Sequence, residues 1–162
     1  MAIAALSLGS NLYNRNRYLA SAVELLAAAP LRIIKLSRAY ETEPVECSPQ
    51  PWFLNQVVLA ETSLAPPMLL EFLLGIEERL GRRRAGERGA RTLDMDLLFM
   101  DALVISTARL TLPHPSAATR RCVMVPLCEV APAWIHPLLG LSASDLLARS
   151  TAPGRVMRRR EQ

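Results

Sequence analysis

The stretch Arg91-Thr92-Leu93-Asp94-Met95-Asp96-Leu97-Leu98-Phe99 leaves little choice of conformation. Leu93, Met95 and Leu97 alternate with Asp94 and Asp96, and a period of two puts the apolar set on one face of a strand and both acids on the other. Same-face neighbours are two rises apart, so the two carboxylates stand about 7 Å from each other on a rigid support. The chain has four aspartates in all, Asp94, Asp96, Asp101 and Asp145, and two of them meet here. Like charges at that spacing repel unless a cation lies between them. The arrangement suits Mg²⁺, which takes a few carboxylate oxygens and completes its shell with water and phosphate. Arg79, Arg82, Arg83, Arg84, Arg88 and Arg91 lie just upstream or at the edge. Paired carboxylates beside arginines form a kit for handling a polyphosphate. A solvent-facing strand side with two ordinary acids is the plain alternative, and the arginines weigh against it.

The 162 residues suit one domain, 1–162, long enough for a full core. Apolar residues at 51% and charged residues at 21% are the proportions of a globular chain. The net charge of +4 rests on arginine almost alone, Lys35 being the single lysine. Arginine grips phosphate through a planar fork, so the bias fits an anionic ligand, although a genome-wide codon bias produces the same excess. Cys47, Cys122 and Cys128 form no C-x-x-C pair, and His114 and His136 complete no zinc spacing. Reduced thiols and a cytoplasmic location are expected. The N-terminus has no basic leader region, and no apolar run reaches the ~18 residues that span a bilayer, so no membrane partner is expected.

Along the chain, residues 2–8 read as a buried strand ending at the turn cluster Gly9-Ser10-Asn11. A helix follows at 15–28 with Leu19, Val23, Leu26 and Ala27 on one face, then a strand at 31–37. Pro44, Pro49 and Pro51 make 41–51 a loop, and 53–62 is a third strand. Residues 63–80 give the clearest helix, opened by Pro66 and Pro67, closed by Gly81 and buried along Leu69, Leu73, Ile76 and Leu80. After the Asp94–Asp96 strand come a short hairpin (103–105 with 110–112), a helix near 120–130 and another at 143–149 capped by Ser142 and Asp145. Arg155 to Arg160 reads as a solvated, frayed tail. The order β-α-β-β-α-β over 1–99 predicts an α+β, ferredoxin-like βαββαβ sandwich with a C-terminal hairpin and short helices. Helices are expected on one sheet face, the other being open for a ligand.

With these motifs in order, the chain resembles the 6-hydroxymethyl-7,8-dihydropterin pyrophosphokinase family. The resemblance runs through Leu8-Gly9-Ser10-Asn11-Leu12, Tyr40-Glu41-Thr42-Glu43-Pro44, Gln50-Pro51-Trp52-Phe53-Leu54-Asn55, Ile76-Glu77 and Gly81-Arg82. It continues through Arg91-Thr92-Leu93-Asp94-Met95-Asp96, Pro113-His114-Pro115, Pro126-Leu127, Glu129 and Ala131-Pro132. It implies a ferredoxin-like α+β fold and transfer of diphosphate from ATP, as co-substrate, to the hydroxymethyl group of a reduced pterin, releasing AMP in folate biosynthesis. By position, Asp94 and Asp96 resemble ligands of two Mg²⁺ ions, and Arg82 and Arg91 resemble phosphate-gripping arginines. Glu77, Arg109, Thr111, His114 and Arg120 match nucleotide contacts, with a solvent-facing role equally open for Glu77. Asn55 matches the side chain that reads the amide-like ring edge and Phe53 the aromatic that stacks on the ring. Backbone groups near Thr42 and Val45 are expected to supply further edge hydrogen bonds.

Cys122 departs from the resemblance, standing where the family usually has a phenylalanine that closes the pterin from its other face, so weaker pterin binding is expected. The 82–91 loop lacks a tryptophan that some members carry, and ATP is expected to order it before pterin binds well. Arg83, Arg84 and Arg88 are read as phosphate contacts or a solvated loop face; Trp52, Trp134 and His136 as packing or structural residues. Partners are small molecules, ATP and a reduced pterin, with the protein a monomer that binds no nucleic acid. A basic RNA-recognition module of the same topology is disfavoured, because the first strand is aliphatic and aromatics are 5% of the chain. An inactive relative would show erosion of the metal pair, and both aspartates are intact.

Overall fold

A computed structural model describes residues 1–28, 30–45, 47–82 and 90–160. The expectations for Arg83, Arg84, Arg88 and the ordering of most of the 82–91 loop fall outside them.

The centre of the fold is an antiparallel sheet built on β1 (Ala2–Ser10), flanked by β4 (Phe53–Thr62) and β5 (Asp94–Met100). β2 (Leu31–Leu36) pairs with the C-terminal half of β4 and β3 (Tyr40–Thr42) with its N-terminal end. Alternation in β1 works as its composition dictates. Ala4, Leu6 and Leu8 enter one core with Leu19, Ala22 and Leu26 of α1 (Arg15–Ala27) and Leu69, Leu73 and Ile76 of α2 (Pro66–Arg79). Ala5 and Val57 enter a second core on the opposite face. The α1 stripe differs from expectation by one position, with Ala22 buried and Ala27 exposed.

The ends of α2 follow from its sequence. Pro66 and Pro67 open it, where a missing N–H costs nothing. Gly81 closes it at φ +82°, donating to the Glu78 carbonyl at 3.1 Å while the Arg82 N–H donates to the Glu77 carbonyl at 3.0 Å. These two bonds form a Schellman closure, and a residue with a Cβ would resist the left-handed turn. The closure brings Arg82 back over the last turn of the helix. Asn14 caps α1 by accepting from the Arg17 N–H at 3.1 Å.

Three expectations are corrected. The second sheet face is open over only part of its area. α3 (Ser116–Thr119) and α4 (Arg121–Val130) cover part of it, Val123, Leu127 and Val130 packing on Ala5, Val57, Leu98 and Phe99. A register shift at Ala5/Leu6 makes this possible by letting adjacent Leu98 and Phe99 join the same core. Phe99 then stacks on Trp134, centroids 4.3 Å apart. The tail is not frayed, because Val156–Arg158 forms β8, paired with β3. That pairing also makes strand of Glu41 and Thr42, which sequence places in a loop; side chains alone carry no sign of a partner more than a hundred residues away. A short hairpin, β6 (Ile105–Ser106) and β7 (Thr111–Leu112), and the capped helix α5 (Ala143–Arg149) complete the chain. No helix among the described residues is long and apolar enough to cross a membrane.

Candidate active site

The helix-covered part of the second face stops short of the sheet's end, and a cleft of about 440 Å³ lies over the remainder. Cross-strand register builds its floor. Asn55 of β4 pairs with Gly9 of β1, Gly9 with Asp94 of β5, and one step along Ser7 pairs with Asp96. Paired residues share a face, so the Asn55 amide and the two acids lie in adjacent rows separated by the smallest side chains. Sequence reasoning passed over Ser7 as a strand residue and placed Gly9 in the turn after the strand, whereas β1 runs on to Ser10; the small size of Ser7 inside an otherwise aliphatic strand was the available signal.

At one end stand the charges. Asp94 accepts from Arg82 Nη1 at 2.5 Å and from Arg91 Nη1 at 2.9 Å, so each of its oxygens faces a guanidinium. Arg82 Nη1 also donates to Glu77 Oε1 at 2.7 Å, and the same oxygen accepts the Met95 N–H at 2.6 Å. Glu77 is 1% exposed, which removes the solvent-facing alternative. Its other oxygen, Oε2, is buried without a hydrogen-bond partner among the described residues. Burial lifts the Glu77 pKa from 4.5 to about 7, against the opposing pull of the Met95 N–H and Arg82 and with help from Asp94 and Asp96. Asp96 is also pushed up, by burial first and by the Asp94 charge second. His114 Nδ1 accepts the Ser116 N–H at 3.1 Å, which leaves the proton on Nε2, 3.8 Å from Asp96 Oδ1.

The Glu77 shift has a stability consequence with a definite sign. Between pH 4.5 and about 7 the folded chain holds this proton while the unfolded chain releases it, so stability falls as pH rises. The difference amounts to roughly 3 kcal/mol. Glu77→Gln, which keeps an acceptor for Arg82 and Met95, is expected to flatten that slope, and thermal melts from pH 4 to 8 check it. An unchanged slope would assign it elsewhere.

Arg91 is held by a residue that sequence reasoning saw only as part of a turn. Asn11, 2% exposed, accepts the Arg91 N–H through Oδ1 at 2.8 Å and donates its own N–H to the Arg91 carbonyl at 3.2 Å. Its Nδ2 donates to Gln50 Oε1 at 2.7 Å and to the Pro51 carbonyl at 3.0 Å. One amide thus joins the end of β1, the arginine and the proline-rich loop. The Arg91 guanidinium sits 5.5 Å from the Phe53 ring centroid, and its Nε is buried without an acceptor among the described residues.

At the other end the lining turns apolar and amide-like, with Phe53, Val45, Cys122, Asn55 and Thr42. Asn55 Nδ2 donates to Thr42 Oγ1, fixing the amide plane. Burial pushes the Cys122 thiol up, so it is a neutral wall residue. Arg120 reaches the cleft. Arg109 does not line it and pairs instead with Glu71 of α2, and Thr111 is exposed on β7. The structure therefore gathers Thr42, Val45, Phe53, Asn55, Arg91, Asp94, Asp96, Arg120 and Cys122 around one cleft. Arg82 and Glu77 back Asp94, and His114 flanks Asp96. Asp94 and Asp96 are the available hard-oxygen donors for a metal; no group of three potential ligands occurs among the described residues. That donor set matches Mg²⁺, which needs few protein oxygens.

The fold has solved counterparts. An HPPK-DHPS structure in complex with substrates superposes with TM-score 0.73 at 14% identity, over 91% of this chain and 45% of that one. The Plasmodium falciparum wild-type HPPK-DHPS with pteroate gives 0.74 at 16%, over 91% and 42%. At such identity the likeness concerns the fold. The profile of the 7,8-dihydro-6-hydroxymethylpterin-pyrophosphokinase (HPPK) family matches residues 5–132, and the chain belongs to that family. A 2-amino-4-hydroxy-6-hydroxymethyldihydropteridine pyrophosphokinase of Methylorubrum extorquens is 44% identical over 133 residues, 82% of this chain and 84% of that protein. The Bacillus subtilis protein of the same name is 43% identical over 129 residues, 79% and 77% of the two chains. The Pneumocystis carinii folic acid synthesis protein fol1 is 37% identical over 140 residues, 86% of this chain; the match spans only 19% of that longer protein.

Proposed function

We propose that this chain transfers diphosphate from ATP to the hydroxymethyl group of 6-hydroxymethyl-7,8-dihydropterin and releases AMP, a step of folate biosynthesis. The observation that carries the reading is the single floor shared by Asn55, Gly9 and Asp94, which sets a flat, amide-edged slot beside paired carboxylates and arginines. Family membership supplies the substrate class. The strand order β5-β1-β4-β2, with α1 and α2 on one face, supports the ferredoxin-like reading of the domain. Residues 1–162 act as one domain, monomeric, and the unpaired Cys47, Cys122 and Cys128 are in keeping with a reducing cytoplasm.

Phe53 stacks on the pterin ring and Asn55, oriented by Thr42, reads its edge. The hydroxymethyl oxygen then attacks the β-phosphorus, the bond from that phosphorus to the AMP oxygen breaks, and the hydroxyl proton departs. Asp94 and Asp96 would hold Mg²⁺, which neutralises phosphate charge when bound. Arg82 and Arg91 stand on Asp94 and can turn to transferring oxygens, a stabilisation often worth a few kcal/mol. The His114 Nε2 proton is a further donor on the Asp96 side. In loose phosphoryl transfer no general base is required.

The test supplies ATP, Mg²⁺ and the pterin and measures nucleotide release. AMP that depends on pterin is expected; ADP, or no pterin dependence, would overturn the reading. MgATP binding is expected to fall at least tenfold in Asp94→Ala, readable by titration calorimetry.

A further inference from the structure

Residues 153–158 lie beyond the family match at 5–132, yet Pro153, Gly154, Arg155 and Val156 form one wall of the cleft. They reach it by strand addition. β8 pairs with β3 through Thr42↔Val156, Glu41↔Met157 and Tyr40↔Arg158, and the ladder extends by the Glu43 N–H donating to the Arg155 carbonyl at 3.0 Å. β3 therefore lies between β4 and β8, and the segment that follows it inherits that fixation.

Arg155 makes three further contacts in the same place. Its N–H and Nε donate to Glu43 Oε2 at 3.0 and 3.3 Å, and its guanidinium lies 4.9 Å from the Trp52 ring centroid. A cation over an indole face is attracted by the ring quadrupole. One side chain so joins the segment after β3 to the segment before β4, the two sides of the loop that walls the ring end of the cleft. Gly154 lets the chain come this near. Its φ is +104°, and a Cβ there would stand 2.7 Å from Val45 Cγ2.

We propose that this C-terminal strand is a positioning element for the ring-binding half of the cleft, with Arg155 as the residue that locks Thr42 to Val45 in the conformation that receives a flat heteroaromatic ring. The proposal rests on the pterin reading of the cleft. Among the described residues the contacts of Arg155 are with Glu43 and Trp52 and none is with Asp94 or Asp96, so its effect falls on one substrate. A residue serving only general stability would affect both.

The experiment uses the full chain with Arg155→Ala, Arg155→Lys and Gly154→Ala. Steady-state AMP release is measured with pterin and ATP varied separately, and amide hydrogen exchange is followed over 40–45. Arg155→Ala is expected to raise KM for the pterin about tenfold, roughly one lost ordering contact, with KM for ATP and kcat within about twofold. Arg155→Lys, which keeps the cation over Trp52, restores most of it, and Gly154→Ala behaves like Arg155→Ala. Exchange at 42–45 accelerates while β1 and β4 stay protected. An unchanged pterin KM, or a parallel rise in both KM values with faster exchange across the sheet, overturns the proposal. Failure of the pterin reading shows separately, as wild-type protein without pterin-dependent AMP. In that case the exchange data decide alone, and unaltered exchange at 42–45 in Arg155→Ala refutes the locking role.

Discussion

Asp96→Asn is expected to lower pterin-dependent AMP release at least a thousandfold and, in the same protein without metal, to raise the melting temperature. The two effects share one cause. Asp96 is half-buried in the cleft floor and faces the Asp94 charge, and desolvation first and that charge second push its pKa upward. The folded state thus holds this proton more tightly than the unfolded state, whose carboxyl titrates near the ordinary value of 3.8. Ionising Asp96 therefore destabilises the fold, and the penalty grows as pH climbs from that value through the folded pKa. Asparagine never ionises and escapes it. The melting temperatures of variant and parent should meet at low pH and separate at neutral pH, by about 2–4 °C for each kcal/mol relieved in a domain of this size. Activity moves the other way, because the charge that strains the apo fold is what would hold the cation. A thousandfold loss is about 4 kcal/mol of transition-state stabilisation. Retained activity would remove Asp96 from the reaction, and an unchanged melting curve would mean that the carboxylate is not under strain.

Gly9→Ala is expected to separate binding from folding in a different way. A Cβ at Gly9 would stand 2.6 Å from Asn55 Oδ1. The obstructing atom is the end of a side chain, so the structure can yield by swinging Asn55 off Thr42, at a stability cost of about 1 kcal/mol for the lost hydrogen bond. The ligand has no such escape. It loses both the oriented amide and part of the floor, and pterin affinity should fall by at least tenfold, while MgATP binding, centred on the Asp94–Asp96 end, changes little. Equilibrium titrations of each ligand against the variant check this. Equal loss of both affinities would indicate a collapsed sheet instead.

Much of this molecule was legible before any coordinates. The strand at Phe53–Thr62 and the capped helix at Ala143–Arg149 fall where alternation and the Ser142–Asp145 pair put them. The facing of Asp94 and Asp96 away from Met95 and Leu97 is a consequence of the two-residue period and needs no tertiary information. The motif resemblance led to the family to which the chain belongs. Arg109, paired with Glu71, and Thr111, exposed on β7, stand outside the lining of the cleft, which sequence position alone does not show. Glu77 could be read from sequence as a solvent-facing helix residue, because its burial depends on β5 passing beside α2.

What the sequence determined by itself is the local part: which residues form strands and helices, which share a face, and where proline, glycine and asparagine start or stop an element. These follow from backbone periodicity and steric limits that act within a few residues. Tertiary structure alone decided the register that sets Asn55, Gly9 and Asp94 in one row, the partial covering of the second face by α4, and the capture of β3 by β8. Those arrangements depend on partners tens of residues away, where the choice is made by burial and by satisfying backbone hydrogen bonds across the whole sheet, and no short stretch of chain encodes which partner will be found.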